Sequence, residues 1–230
     1  STAPAGDVVL LHACCHNPTG VDLEASDWQD ILEVVRERNH VAFLDIAYQG
    51  FGAGIEEDSA AVRLFAESGL SFFVSSSFSK SFSLYGERVG ALSIVTESRE
   101  ATARVLSQVK RVIRTNYSNP PTHGASIVGA VLANPELNSM WQDELAQMRE
   151  RIRHMRLAFV EKLAAKGASR DFSFVARQRG MFSYSGLTAE QVDRLRSEFG
   201  IYAVNTGRIC VAALNEHNLD AVTQAIVEVL

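Results

Sequence analysis

Three short apolar runs, Val8–Cys15, Val41–Ile46 and Phe72–Ser76, each lead into a cluster of polar residues, with helix-period stretches between them. Runs this short and this apolar read as strands buried on both faces, the pattern of a parallel sheet joined by crossover helices. Asp27–Arg38 places Trp28, Ile31, Leu32 and Val35 on one side, and Ser59–Glu67 supplies a shorter helix. Tyr48–Gly54 is glycine-rich and predicts a loop, and Val89–Val95 predicts a fourth strand. The expected class is therefore α/β with a mostly parallel sheet.

Further along, Glu97–Arg114 and His123–Ala133 read as helices separated by the breaker Asn116–Pro121. Glu136–Lys166 predicts one long amphipathic helix, with Leu137, Met140, Trp141, Leu145, Met148, Ile152, Met155, Phe159 and Leu163 spaced mostly three and four apart. After it the pattern changes. Strand-like pieces at Phe172–Val175, Met181–Tyr184, Tyr202–Val204 and Ile209–Val211 alternate with helices at Thr188–Glu198 and Asn215–Val229. This predicts one domain over residues 1–145 and a smaller α+β domain over residues 146–230.

Composition removes several function classes. With 230 residues, 47% of them hydrophobic, the chain can bury a sizeable core. A formal net charge of −5 disfavours a nucleic-acid partner, which needs a concentrated basic face. No run approaches the ~20 apolar residues of a membrane span. Three cysteines, two of them adjacent, fit a reducing, cytoplasmic setting better than a disulfide scaffold. Ser1–Asp7 lacks the basic-then-apolar pattern of a secretory signal, and a start at Ser1 without Met points to processing or truncation.

The candidate chemistry lies just past the strands. Asn17 follows the first, Asp45 ends the second with Tyr48 just beyond, and Lys80 follows the third. Open α/β sheets bind ligands outside the carboxyl ends of their strands, so an amide, a carboxylate and an amine are delivered to one edge. A carboxylate ending an apolar strand is costly unless partnered.

Rival patterns are weaker. Ser77-x-x-Lys80 lacks the companion elements of penicillin-recognising hydrolases. His12, Cys14, Cys15 and His16 read as strand and turn residues rather than zinc ligands, so no metal is expected. Gly50-x-Gly52-x-Gly54 has the wrong spacing for a dinucleotide loop. Arg149–Arg156 is basic but interleaved with Met148, Ile152 and Met155, which reads as a solvated helix face.

Seven segments in order carry a resemblance. Asn17-Pro-Thr-Gly20, Asp45-Ile-Ala-Tyr48-Gln-Gly-Phe51, Ser77-Phe-Ser-Lys80, Gly86-Glu-Arg88-Val-Gly90, Asn116-Tyr-Ser-Asn-Pro-Pro121, Gly180-Met-Phe182 and Gly207-Arg208 resemble the class I aminotransferases of the aspartate/aromatic branch. Phe43-Leu44-Asp45-Ile46, Gly52-Ala53-Gly54 and Phe82-Ser83-Leu84-Tyr85-Gly86 look closer to the aromatic (tyrosine) members. The resemblance implies the large domain of a fold-type I pyridoxal-phosphate enzyme, incomplete at its front, followed by the small C-terminal domain. It implies pyridoxal 5'-phosphate as cofactor and transfer of an amino group between aromatic or dicarboxylic amino acids and 2-oxo acids.

Roles follow by position. Lys80 is implied as the amine that holds the cofactor aldehyde and moves the substrate proton. Asp45 pairs with the pyridine nitrogen, Asn17 and Tyr48 donate to the ring oxygen, and Ser77 and Arg88 bind the phosphate. Arg208 clamps the substrate α-carboxylate. Arg114 serves the distal carboxylate across a homodimer interface, with Tyr85 and Ser118 in the same matched segments. No nucleic-acid or membrane partner is implied. A pyridoxal-phosphate lyase of the same fold, and an inactive fragment, are the alternatives. A lyase has no need of Arg114.

Overall fold

The computed structural model describes residues 2–230, and Ser1 lies outside the described residues. The chain divides into two units. The first takes the stretch up to Ala13, then Leu23–Gly50 and Gly54–Glu144. The second takes Cys14–Asp22, Phe51–Ala53 and Leu145–Leu230.

The first unit is built on a four-stranded sheet in spatial order β1 (Val8–His12), β2 (Val41–Ile46), β3 (Phe72–Ser77), β4 (Gly90–Val95). β1, β2 and β3 run parallel, and β4 pairs antiparallel with β3. Helices α1 (Ala25–Glu37), α2 (Ile55–Asp58) and α3 (Ala60–Glu67) connect the parallel strands. α4 (Arg99–Asn116), α5 (His123–Ala133) and the first turns of α6 (Pro135–Ala165) complete the unit.

The two faces of this sheet differ. Ala42, Leu44 and Ile46 of β2 and Phe72 and Val74 of β3 are buried, as are Trp28, Leu32 and Val35 of α1 and Phe65 of α3. Aromatic contacts join the helices to each other and to the sheet: Trp28 of α1 meets Phe65 of α3 edge-on at 6.5 Å, and Phe65 meets Phe72 of β3, tilted, at 5.7 Å between centroids. The opposite face carries Phe43 and Phe73, 5.7 Å apart. There α4 stands over a cavity of about 1330 Å³ lined by Phe73, Leu92, Ile94, Leu106, Val109 and Val112. Val8 and Leu10 on β1 are each 62% exposed. The expectation of strands covered on both faces therefore fails at β1, because α1 and α3 both lie on one side.

Burial in the second unit is more uniform. The rest of α6 packs with α7 (Ser173–Arg177), α8 (Ala189–Phe199) and α9 (Leu219–Val229), beside a two-stranded antiparallel sheet of β5 (Phe182–Tyr184) and β6 (Arg208–Cys210). Phe159, Leu163, Val175, Val192, Leu195 and Ile226 are buried. A reciprocal cap at Thr188 and Gln191 starts α8, and Gly200 in the left-handed region (φ +67°) ends it.

Two strand readings are corrected here. Residues 172–175 mostly enter α7, because the Asp171 carboxylate accepts both the Ser173 N–H (2.8 Å) and its hydroxyl (2.7 Å), which starts a helical turn. Residues 202–204 form no strand: Tyr202 is 81% exposed, and the Val204 carbonyl accepts the Gly207 N–H to close a turn. Among the described residues no helix is long and apolar enough to cross a membrane.

Candidate functional site

In the first unit, strand register decides what surrounds Asp45. His12, Asp45 and Ser75 are direct partners across β1, β2 and β3. Residues paired across parallel strands point to the same face, so a carboxylate is flanked by an imidazole and a hydroxyl. The Ser75 hydroxyl donates to Asp45 Oδ1 at 2.8 Å, and His12 Nε2 lies 3.9 Å from Oδ2. Asp45 thereby acquires the partner that its position demands. Sequence reasoning placed Asp45 here but missed Ser75, whose role emerges only from the pairing register.

Lys80 sits in the turn that follows β3, half-buried. Its Nζ lies 4.6 Å from the centroid of the Tyr48 ring, a cation–π distance. Tyr48 is itself buried. Each partner is fixed from behind. Gly50, two residues past Tyr48, donates its N–H to the buried Asp58 carboxylate at 2.8 Å, and Gln49 donates to the Ile55 carbonyl at 2.9 Å. The Lys80 turn is held by Trp141, whose indole N–H donates to the Ser81 carbonyl at 2.6 Å and whose ring stacks on Phe82 at 4.5 Å. The sequence showed Trp141 only as a core position of α6.

Ser77 ends β3 opposite Gly90, and its hydroxyl oxygen accepts the Ser79 N–H at 3.3 Å. A Cβ at Gly90 would come within 2.7 Å of the Ser76 carbonyl oxygen, so only glycine fits this crossing. Arg88 is exposed, in the left-handed region at φ +53°, and donates to the Tyr85 carbonyl at 2.9 Å. Arg114, exposed in the last turn of α4, donates to the Ser118 hydroxyl.

The second unit holds Asn17 and Arg208 together. Arg208 Nη1 donates to Asn17 Oδ1 at 3.1 Å, and the guanidinium carbon lies 4.9 Å from the centroid of the Phe182 ring. Gly207 makes this placement possible. Its φ is +83°, and a Cβ there would lie 2.6 Å from the Leu187 carbonyl oxygen. Its own carbonyl accepts both the Ser185 N–H and the Ser185 hydroxyl. The loop carrying Asn17 is fixed by Asp22, whose carboxylate accepts the N–H groups of Cys15 and His16 at 2.8 and 2.9 Å.

Arg156 is the exception to the reading of Arg149–Arg156 as a solvated helix face, whereas Arg151 and Arg153 are exposed as expected. It is 2% exposed and donates to the carbonyls of Val175, Arg179, Gly180 and Phe182 and to the Ser183 hydroxyl. Burial pulls its pKa down to about 10, against the opposing influence of Cys15 and Asp22. A signal for this was present. Ile152, Arg156, Phe159 and Leu163 continue one stripe at spacings of four, three and four.

The comparisons with known proteins agree with one another. The family profile described as aminotransferase class I and II matches residues 1–226. An aspartate aminotransferase of Pseudomonas aeruginosa is 77% identical over 227 residues, which is 99% of this chain and 57% of that protein. An aromatic-amino-acid aminotransferase of Escherichia coli is 52% identical over 229 residues, covering 100% of this chain and 58% of its own. The crystal structure of an aromatic-amino-acid aminotransferase from Burkholderia pseudomallei, covalently bound to pyridoxal phosphate, matches with a TM-score of 0.98 at 69% identity. That match covers 100% of this chain and 57% of the crystallised one. The chain thus spans a little over half the length of the relatives it matches.

Proposed function

We propose, from the premise that the chain belongs to the class I and II aminotransferases, that it carries the lysine-bearing part of a pyridoxal 5'-phosphate site. In the whole protein that site serves amino-group transfer between aromatic or dicarboxylic amino acids and 2-oxo acids. The observation that carries this is the Lys80 amine over the buried Tyr48 ring, on the same strand edge as a carboxylate held by Ser75. Relatives named aspartate, aromatic-amino-acid and tyrosine aminotransferases supply the substrate classes.

The donor set suits the cofactor's chemistry. An amine meets an aldehyde, an acid meets a pyridine nitrogen, and hydroxyl and guanidinium groups meet a phosphate. When bound, pyridoxal phosphate supplies the aldehyde that takes up the amino group and a ring that accepts charge from the substrate Cα.

Lys80 would hold the cofactor at its aldehyde, and its amine would carry the proton removed from the substrate Cα. Asp45 keeps the ring nitrogen protonated, and Ser75 and His12 fix the direction of its carboxylate. The Tyr48 hydroxyl donates to the ring oxygen, and Ser77 and Arg88 take the phosphate. In the second unit Arg208 offers a fork of donors to an α-carboxylate, oriented by Asn17 and Phe182, and Asn17 shares the donation to the ring oxygen. Arg114 pairs with the distal carboxylate of dicarboxylic substrates in a neighbouring subunit, which makes a homodimer the working form.

We assign residues 1–145 to the cofactor-binding domain and residues 146–230 to the smaller C-terminal domain. That Cys14, Cys15 and Cys210 form no disulfide supports a cytoplasmic location.

The test is spectroscopic. Added pyridoxal phosphate is expected to give a protein-bound absorbance band near the visible edge that Lys80→Ala abolishes. A band that survives in the variant rejects the assignment. In the whole enzyme, Arg114→Ala is expected to lower aspartate turnover about 100-fold while largely sparing tyrosine, through loss of one charge pair to the substrate. Equal losses on both substrates would remove Arg114 from the site.

A further inference from the structure

Five of the second unit's ten arginines line a cavity that no step above uses. Arg149, Arg153 and Arg156 lie four and three residues apart on α6, one stripe of that helix. They line one side of a cavity of about 330 Å³, with Arg177 and Arg179 also in its wall. Glu150 is the sole acidic residue in the lining, 3.6 Å from Arg149 and 3.5 Å from Arg153. Five guanidinium groups against one carboxylate leave a surplus of four positive charges, in a chain whose formal net charge is −5.

Two residues of the lining each carry a buried polar atom that lacks a partner among the described residues. One is Nε of Arg156, whose other nitrogens all donate to uncharged oxygens. The other is Oε1 of Gln178. Unpaired buried groups of this kind are uncommon and call for an explanation. The first is a donor without an acceptor, the second an acceptor without a donor.

We propose that this cavity binds a small phosphate-bearing anion. Guanidinium groups match phosphate oxygens with paired, charge-assisted hydrogen bonds. A concave, positively charged wall concentrates anions more strongly than the same charges on open surface. The Arg156 Nε–H gains an acceptor in a phosphate oxygen. Gln178 Oε1 gains a donor in the hydroxyl that hydrogen phosphate keeps at neutral pH, which a dicarboxylate lacks. This reading is independent of the cofactor assignment, because all its residues lie in the second unit and none has a role at Lys80.

Calorimetric titration of the purified protein with inorganic phosphate, at neutral pH and low ionic strength, tests it, with succinate titrated in parallel. Saturable phosphate binding is expected, tighter than that of succinate. Arg153→Gln and Arg177→Gln are each expected to weaken it about three-fold, and the double variant about ten-fold. Both side chains are exposed, so the fold should be kept, as an unchanged thermal midpoint will verify. Arg88→Ala separates this site from the phosphate position proposed in the first unit. Three results would overturn the proposal: no saturable binding, tighter binding of succinate, or phosphate binding that survives the double variant and disappears in Arg88→Ala.

Discussion

The two units treat their polar residues in opposite ways. In the first, the functional groups stand at the ends and on the less covered face of the sheet, and each is held by one or two contacts. Asp45 has Ser75 and His12 beside it, while Lys80 has Tyr48. In the second, the most deeply placed charge, Arg156, is 2% exposed and commits both terminal nitrogens to carbonyl oxygens and the Ser183 hydroxyl, with only Nε left for the anion proposed above. A site that binds and releases ligands needs groups that are positioned yet reachable. A group that ties the backbone of residues 175–182 to α6 does so best when buried, since an exposed guanidinium would be satisfied by water.

This contrast can be broken by mutation. The largest effect is expected from Phe159→Ala, which empties a fully buried position of the second unit and should cost about 3–5 kcal/mol in urea unfolding. Its counterpart on the first unit's sheet, Leu92→Ala, removes a side chain 54% exposed and should cost no more than about 0.5 kcal/mol. Similar costs for the two would erase the difference.

Next comes Arg156→Met. It keeps the volume but leaves the carbonyls of Val175, Gly180 and Phe182 without a donor, so a loss of about 2–4 kcal/mol is expected. A neutral or stabilising outcome would mean that the cost of burying the cation cancels its hydrogen bonds.

Ser75→Ala should destabilise by about 1 kcal/mol, while lowering affinity for pyridoxal phosphate about five-fold and shifting the absorbance of the bound form. Ser75→Thr, which keeps the hydroxyl, should restore both. Unchanged spectra in the alanine variant would reduce Ser75 to a packing role.

The smallest effect concerns pH. Hydrogen bonds from Lys162 and Lys166 hold the exposed Asp220 carboxyl below its ordinary pKa. A carboxyl depressed in the folded state contributes stability above its unfolded pKa and loses it as pH falls through the folded value. Asp220→Asn should therefore flatten the acid limb of the stability curve slightly and leave neutral pH almost unchanged. An identical acid limb would show that the ion pair contributes nothing.

The strands were legible because burial demands apolar residues. Val41–Ile46 was read with its observed limits, and the polar ends of the runs pointed to Asn17, Asp45 and Lys80. What escaped depends on pairing and enclosure. The first run was expected to reach Cys15, but the strand stops at His12. Cys15 turns into the left-handed region at φ +51° and gives its N–H to Asp22. α2 went unread in the four residues between the loop that ends at Gly54 and the helix expected from Ser59, where three adjacent acidic residues, Glu56, Glu57 and Asp58, give no apolar stripe. Ser75 looked like any strand serine until register set it beside Asp45. Arg156 was hidden by the habit of placing arginine on the water-facing side, although its spacing from Phe159 already put it on the buried stripe.

The central claim concerns one amine and is best tested by covalent trapping. Pyridoxal phosphate is added to the protein, the adduct is fixed with borohydride, and the digested peptides are mapped by mass spectrometry. The account predicts a pyridoxyl group on Lys80, with Lys110, Lys162 and Lys166 unmodified at equal molar ratio. A label confined to those other lysines, or spread evenly over all four, would contradict it.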